Sequence, residues 1–270
     1  MSAIALNPIG VFDSGVGGLS VLRALRDELP DEDFLYVADS AYAPYGERTN
    51  EFVQRRASGI VEFLIREQAK AIVVACNTAT GIAVDALRSR FQLPIVAIEP
   101  AVKPAVAQTR SGVIGVLATS GTIASERFRQ LLAQYAAGAR ILPQACPGLV
   151  EQVERGERNS PSTRALVEQF VRPLIEQGAD TLVLGCTHYP FLDEAIRAVA
   201  GPDVTVIDPA AAVARELRRR LEDHDLLRSV GTRGKEWFWT TGDPDRAKPV
   251  MTQLWSESLE IQHLSEFLSS

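Results

Sequence analysis

Two short stretches of this 270-residue chain repeat one another in outline, and together they restrict what it can fold into. Residues 71–80 read AIVVACNTAT and residues 181–190 read TLVLGCTHYP. In each, an apolar run of strand length (Ile72 to Val74, Leu182 to Leu184) leads through a small residue to a cysteine and a polar turn bearing threonine. Apolar runs without alternation belong to strands covered on both faces, as in parallel sheets. A residue just beyond the carboxyl end of such a strand is where open α/β sheets place their chemistry. Cys76 and Cys186 therefore read as two matched reagents facing one site.

The rest of the chain keeps the same rhythm. Ile9 to Phe12 is a strand, the turn DSGVGG (13–18) follows, and Leu19, Val21, Leu22, Leu25 and Leu29 then recur at helical spacing. Further strands are expected at Phe34 to Val37, Pro94 to Pro100, Val113 to Leu117, Val204 to Ile207 and Trp237 to Thr241. Between them lie helical segments, among them Glu51 to Glu67, Thr80 to Arg90, Pro161 to Gln177 and Leu192 to Val199. Strand and helix in alternation make an α/β chain with mainly parallel sheets. The rhyme of the thiol segments, and of DSGVGG with TSGT at 119–122, predicts two similar α/β halves. The expected division is residues 1–99 with 208–270 in the first domain and 100–207 in the second. Residues 223–235 are polar and without periodicity.

Composition removes several classes of function. Apolar residues at 46% and charged ones at 23% are ordinary globular values. A net charge of −6 with no basic cluster argues against nucleic acid and against an anionic membrane surface as partners. No apolar run approaches the roughly 18 residues of a membrane span. The stretch from Met1 to Gly10 lacks the basic and apolar regions of a secretory signal. A cytoplasmic protein is expected. Three widely separated cysteines make no disulfide framework. Nor do they supply the closely spaced ligand pairs of a structural zinc site, and no metal is expected.

A cysteine ending a buried strand is most often a small hydrophobe. Cys76 and Cys186, however, both precede polar turns and both lead toward helices, whose N-termini favour a thiolate. Two facing thiols, one ionised and one not, can take a proton from one face of a carbon and return one to the other. The competing chemistry pairs Cys186 with His188 as nucleophile and base of a hydrolase or transferase. Asp13 and Ser14 either cap the glycine turn or orient a substrate from it. Glycines at 15, 17 and 18 with no following Gly-Lys-Ser fit neither a dinucleotide fingerprint nor a P-loop. Asn77, Thr78, Thr119, Ser120, Thr122 and Thr187 lie in strand-end turns, where such side chains cap helices and also suit a small carboxylate. On local grounds Tyr45-Gly46 after Pro44 is a turn, Glu154 a solvated helix residue and Cys146 structural.

GVFDSGVGGLSVL (10–22), ADSAYAPYGERT (38–49), VACNTAT (74–80), GVLATSGTIAS (115–125), LGCTHYPFL (184–192) and TTGDP (240–244), in that order over nearly the whole chain, resemble the bacterial glutamate racemases of the aspartate/glutamate racemase superfamily. The resemblance implies two α/β domains around one active site, glutamate as the small-molecule substrate, no pyridoxal phosphate or other cofactor, and supply of D-glutamate for peptidoglycan. It makes Cys76 and Cys186 the catalytic thiols, Cys76 exchanging the α-proton of D-glutamate and Cys186 that of L-glutamate. Asp13 and His188 would each poise the nearer thiol, with Cys76 leaning on Asp13 across the cleft. Glu154 would assist, although Glu151 is close enough in sequence to compete for the role. Asp13-Ser14, Tyr45-Gly46, Asn77-Thr78 and Thr187-His188 would bind substrate, and Thr119 and Thr122 would set hydroxyls beside it. Relatives acting on aspartate commonly carry glutamate in place of His188, so glutamate is the expected substrate and aspartate the neighbouring alternative. Nucleic acid and membrane are not implied as partners; a homodimer is compatible.

Overall fold

The computed structural model describes residues 3–135, 137–228, 231–255 and 258–265. Its strands are β1 (Ile9–Asp13), β2 (Phe34–Ala38), β3 (Ala71–Val74), β4 (Ile95–Ala97), β5 (Val113–Ala118), β6 (Arg140–Ala145), β7 (Thr181–Gly185), β8 (Thr205–Ile207), β9 (Glu236–Thr240) and β10 (Ile261–His263). They form one sheet of order β10-β9-β2-β1-β3-β4 and another of order β6-β5-β7-β8. All the pairings are parallel. Every residue of β1, β2, β3 and β7 is buried, which is why these strands read as continuous apolar runs.

The rhyme in the sequence is a rhyme in topology. Numbered from its own start, each sheet runs 2-1-3-4, with β9 and β10 extending the first beyond β2. In both, the chain leaves the first strand toward one side and later returns on the other, between β1 and β3 and between β5 and β7. Crossover helices then diverge onto opposite faces and open a crevice at the carboxyl ends of those two strands. Asp13 ends β1 and Cys76 lies two residues beyond β3; Thr119 follows β5 and Cys186 follows β7. Four of the expected site residues thus come to the two crevices that the strand order creates.

Several elements differ from expectation. The 94–100 strand shrinks to β4, and a helix at Val102–Gln108 carries the chain into the second sheet. β6 was not expected because, as an edge strand, it is partly exposed and even holds Pro143, whose missing N–H an edge can forgo. Cys146 therefore does end a strand. β10 is three residues long and also at an edge. After the helix Ala210–Asp223, which packs on Leu19–Glu28, the described part of residues 224–235 has no regular structure. Ser229 and Val230 lie outside the described residues. This stretch is nonetheless tied down, Arg228 N donating to Glu32 Oε1 at 2.8 Å and Lys235 N to Asp33 Oδ1 at 2.7 Å.

Asp180, at the start of β7, holds the approach to β5. Its carboxylate accepts from Thr109 Oγ1 (2.6 Å), Arg110 N (2.7 Å), Ser111 N (2.7 Å) and Thr181 Oγ1 (3.0 Å). Desolvation alone would raise its pKa, but these four donors overcome that and hold it well below 3.8. A depressed carboxylate contributes stability that is complete above its unfolded pKa and is lost as pH falls through the folded one. Asp180→Asn is therefore expected to cost about 1–3 kcal/mol at neutral pH, measured by urea unfolding. That cost should shrink below about pH 4; one that is the same at pH 3 as at pH 7 would show that the charge is not what matters.

Candidate active site

A narrow cavity lies where the two crevices face each other. Cys76 and Cys186 both line it, with Ser14, Tyr45, Gly46, Asn77, Thr78, Thr119, Thr187 and His188 from the sequence reading, and Pro44 and Val150 besides. Asp13, Glu154 and Thr122 do not line it. They stand behind residues that do, and they act on them.

Cys76 caps the helix Asn77–Arg90, its sulfur accepting from Ala79 N at 3.4 Å. The expected helix N-terminus is present here. Its link to Asp13 is indirect and within one sheet: Cys76 Sγ meets Ser14 Oγ at 3.6 Å, and Ser14 Oγ donates to Asp13 Oδ1 at 3.4 Å. The expectation of a reach across the cleft is thereby corrected, because β1 and β3 are neighbours. What Asp13 does reach across the cleft is Thr187, whose hydroxyl donates to Oδ2 at 3.2 Å beside Gly18 N at 2.7 Å. Burial raises the Asp13 carboxyl above its ordinary value even though His188 opposes it. Burial, then the charge of Asp13, pushes the Cys76 thiol well up, against the smaller pull of Ala79 N and Ser14; a charge on Cys186 would push it further.

Cys186 is set differently. It does not begin an α-helix; the chain turns through a 3₁₀ segment, Tyr189–Leu192, before the helix Asp193–Ala200. The help comes from His188, whose Nδ1 lies 3.6 Å from Cys186 Sγ and whose Nε2 lies 2.6 Å from Glu154 Oε1. Burial by itself would discharge the ring, but the hydrogen bonds to Cys186 and Glu154, with their charges, raise it well above 6.5. Glu154 ends the short helix Leu149–Glu154 and also accepts from Val16 N at 2.8 Å. Glu151 instead lines a neighbouring recess with Pro44, Gly46 and Cys146. Geometry separates the two glutamates where spacing did not.

The mouth is built from both sheets. Thr78 Oγ1 is 2.9 Å from Thr119 Oγ1 and 3.2 Å from Thr122 Oγ1, and Thr119 caps its own short helix by accepting from Thr122 N at 3.1 Å. A methyl group on Gly46 would come within 3.1 Å of Thr119 Cβ, so the 40–49 loop closes directly on the second sheet's turn. Tyr45 lines the cavity, but its hydroxyl is spent on Asp39. Asp39 is in turn clamped by Arg56 (2.9 and 2.5 Å) and accepts from Thr241 Oγ1 at 2.8 Å. Sequence reasoning missed this buried pair. The available signal was that Asp39 follows β2 much as Asp13 ends β1. Both polar atoms of the buried Asn77 side chain lack a partner among the described residues. Among the described residues no group of three or more His, Cys, Asp and Glu is placed to hold a metal ion.

Comparison with known proteins agrees with this fold. A family model described as Asp/Glu/hydantoin racemase matches residues 9–217. A glutamate racemase from Methylococcus capsulatus is 53% identical over 249 residues, 92% of either chain. Among solved structures, a glutamate racemase from Bacillus anthracis superposes with a TM-score of 0.89 at 34% identity, covering 97% of this chain and 99% of its own. One from Francisella tularensis, determined in complex with D-glutamate, gives 0.84 at 28% identity over 97% and 98% of the two chains.

The His188 ring generates a direct check. A histidine with a raised folded pKa contributes stability that is fully present below about 6.5 and is lost as pH rises through the folded value. Nitrogen-15 NMR of histidine-labelled protein should find one ring still protonated well above pH 6.5. Glu154→Gln should bring that ring back toward the ordinary range. A His188 that titrates near 6.5 in the parent protein would contradict the assignment.

Proposed function

This chain belongs to the Asp/Glu/hydantoin racemase family and is an amino-acid racemase, an isomerase, and on that basis we propose that it interconverts L- and D-glutamate by two-thiol proton transfer at the α-carbon. The observation that carries the proposal is that Cys76 and Cys186, each just beyond the third strand of a 2-1-3-4 sheet, line the same cavity from opposite sheets. Racemisation by two bases needs one thiolate and one thiol on opposite faces of the carbon. Cys186, facing the N–H of a cationic His188, supplies the thiolate that takes the proton from L-glutamate. Cys76, whose proton is held by burial and by the Asp13 charge, supplies the thiol that delivers one to the other face. From D-glutamate the roles reverse, with Ser14 and Asp13 the route by which Cys76 sheds its proton.

The α-hydrogen of an amino acid is far less acidic than a thiol, so the site must also stabilise the carbanion. Asn77, whose two amide atoms have no partner among the described residues, and the hydroxyls of Thr78 and Thr119 hold the carboxylates, with Thr187 beside them and the Tyr45-Gly46 backbone closing over them. Preorganised donors of this kind contribute about 3 kcal/mol each when they meet developing charge. Residues 1–99 with 208–270 and residues 100–207 act as two bodies that shut on the substrate and exclude water. A cytoplasmic location and supply of D-glutamate to peptidoglycan follow from the same reading.

Cys186, His188 and Glu154 also have the order of a nucleophile, a base and an orienting acid, the one feature that suits a hydrolase. The two readings separate cleanly. Cys76→Ser and Cys186→Ser should each cut glutamate racemisation by at least about 100-fold while circular dichroism shows the fold retained. Either variant racemising at the parent rate ends the two-thiol reading, and full activity in Cys76→Ser with an acyl adduct on Cys186 favours the hydrolase. Faster turnover of aspartate than glutamate would move the substrate to the neighbouring alternative.

A further inference from the structure

The glycine turn after β1 is the part of the first sheet that the partners of the second thiol touch. Val16 N donates to Glu154 Oε1 at 2.8 Å. Ser20 Oγ, shared with the Gly17 carbonyl, meets the Thr187 carbonyl at 2.9 Å. Beneath them, Tyr36 donates its hydroxyl to the Gly15 carbonyl at 2.8 Å and fixes the turn. A methyl group on Gly15 would fall 1.9 Å from Glu154 Oε1, and one on Gly17 would fall 2.4 Å from His188 Nδ1. Neither can exist without moving its neighbour. The Glu154 carboxylate and the His188 ring occupy the space that any side chain at these two positions would fill.

We propose that Gly15 and Gly17 are positioning residues for the proton chemistry of Cys186: their bare faces form a socket that aligns Glu154 with His188 and His188 with the sulfur. The socket belongs to the first sheet and its contents to the second. The second thiol is therefore set up for proton transfer only when the two are seated together. This explains why the turn is rich in glycine without the spacing of a phosphate loop. It rests on the reading of Cys186 as the base that acts on L-glutamate.

The two positions differ in what a methyl group would displace. At Gly15 it meets only the far end of a flexible glutamate, which can swing aside, so Gly15→Ala keeps its fold while pulling Glu154 off both Val16 N and His188. At Gly17 it pushes on the ring itself. The titratable groups that act on His188 are Glu154, Cys186 and, behind them, Asp13. Moving Glu154 away leaves the ring with its burial and a weaker set of partners.

The test uses Gly15→Ala as the main variant and Gly17→Ala as the second. The enantiomers are equal in energy in water, so kcat/KM must fall by one factor in both directions, here roughly 10- to 100-fold, part of what a positioned proton-transfer group supplies. The asymmetry shows in isotope effects. With α-deuterated substrates, a slower Cys186 step raises the effect from L-glutamate, where Cys186 breaks the C–D bond, and lowers it from D-glutamate, where Cys76 does. In parallel, the nitrogen-15 titration of His188 should move down. A folded Gly15→Ala with unchanged isotope effects and unchanged His188 titration overturns the proposal. So do two isotope effects that move in the same direction, the mark of general loosening. If the parent protein does not racemise glutamate while Gly15→Ala still shifts His188, the socket stands and the substrate reading falls. If the parent does racemise it and Gly15→Ala changes nothing, the socket falls alone.

Discussion

Two sulfur atoms buried on one cavity cannot both carry charge at little cost. A charge on either raises the price of ionising the other, as the influence of Cys186 on Cys76 shows. Two thiolates at once are thereby disfavoured, and the proposed proton transfer between opposite faces of a carbon needs only one thiolate beside one thiol. The surroundings of the two sulfurs are unlike. Beside Cys186 stands an imidazole raised well above its usual pKa, backed by a carboxylate; beside Cys76 stand a hydroxyl and, behind it, a buried carboxyl. The folds of the two sheets match while the supports of their thiols do not.

That difference depends on contacts crossing between the sheets. Ser20 to Thr187 and Thr187 to Asp13 join the end of β1 and the turn after it to the turn after β7, and Val16 N to Glu154 joins that turn to the short helix after β6. Thr78 to Thr119 and Gly46 against Thr119 close the opposite side of the cavity. Each of these hydrogen bonds is modest, about 1 kcal/mol. Their effect is cumulative and geometric: they hold the two sheets so that Cys76 and Cys186 line one cavity. In a site of low dielectric, donors fixed in this way act on developing charge without having to reorganise.

Much of this was legible in the sequence because the determinants are local. Ile72 to Val74 and Leu182 to Leu184 are apolar without alternation since β3 and β7 are covered on both faces, and the polar turns after them are what strand ends must carry. What stayed hidden was what tertiary contact decides. β6 escaped because an edge strand is half exposed and can hold Pro143. Glu151 and Glu154 are indistinguishable by spacing; only the fold sends Glu151 into a recess and Glu154 onto His188. Asp13 was expected to reach Cys76 across the cleft, but strand order places it on the adjacent strand, with Ser14 between. Asp39 lies in the 38–49 motif, but its partner Arg56 is 17 residues further on in a helix, and only tertiary contact shows that the pair holds the Tyr45 loop.

The central claim is that two different thiols handle the two faces of one carbon, and solvent isotope partitioning tests it most directly. L-Glutamate with protium at Cα is converted in deuterium oxide and stopped at low conversion, and both enantiomers are examined for label. Two bases predict D-glutamate that carries deuterium at Cα, because the delivering thiol has exchanged with solvent, while the L-glutamate recovered still carries protium. D-Glutamate that retains the original protium would mean that one base had carried the proton from face to face, and would contradict the account.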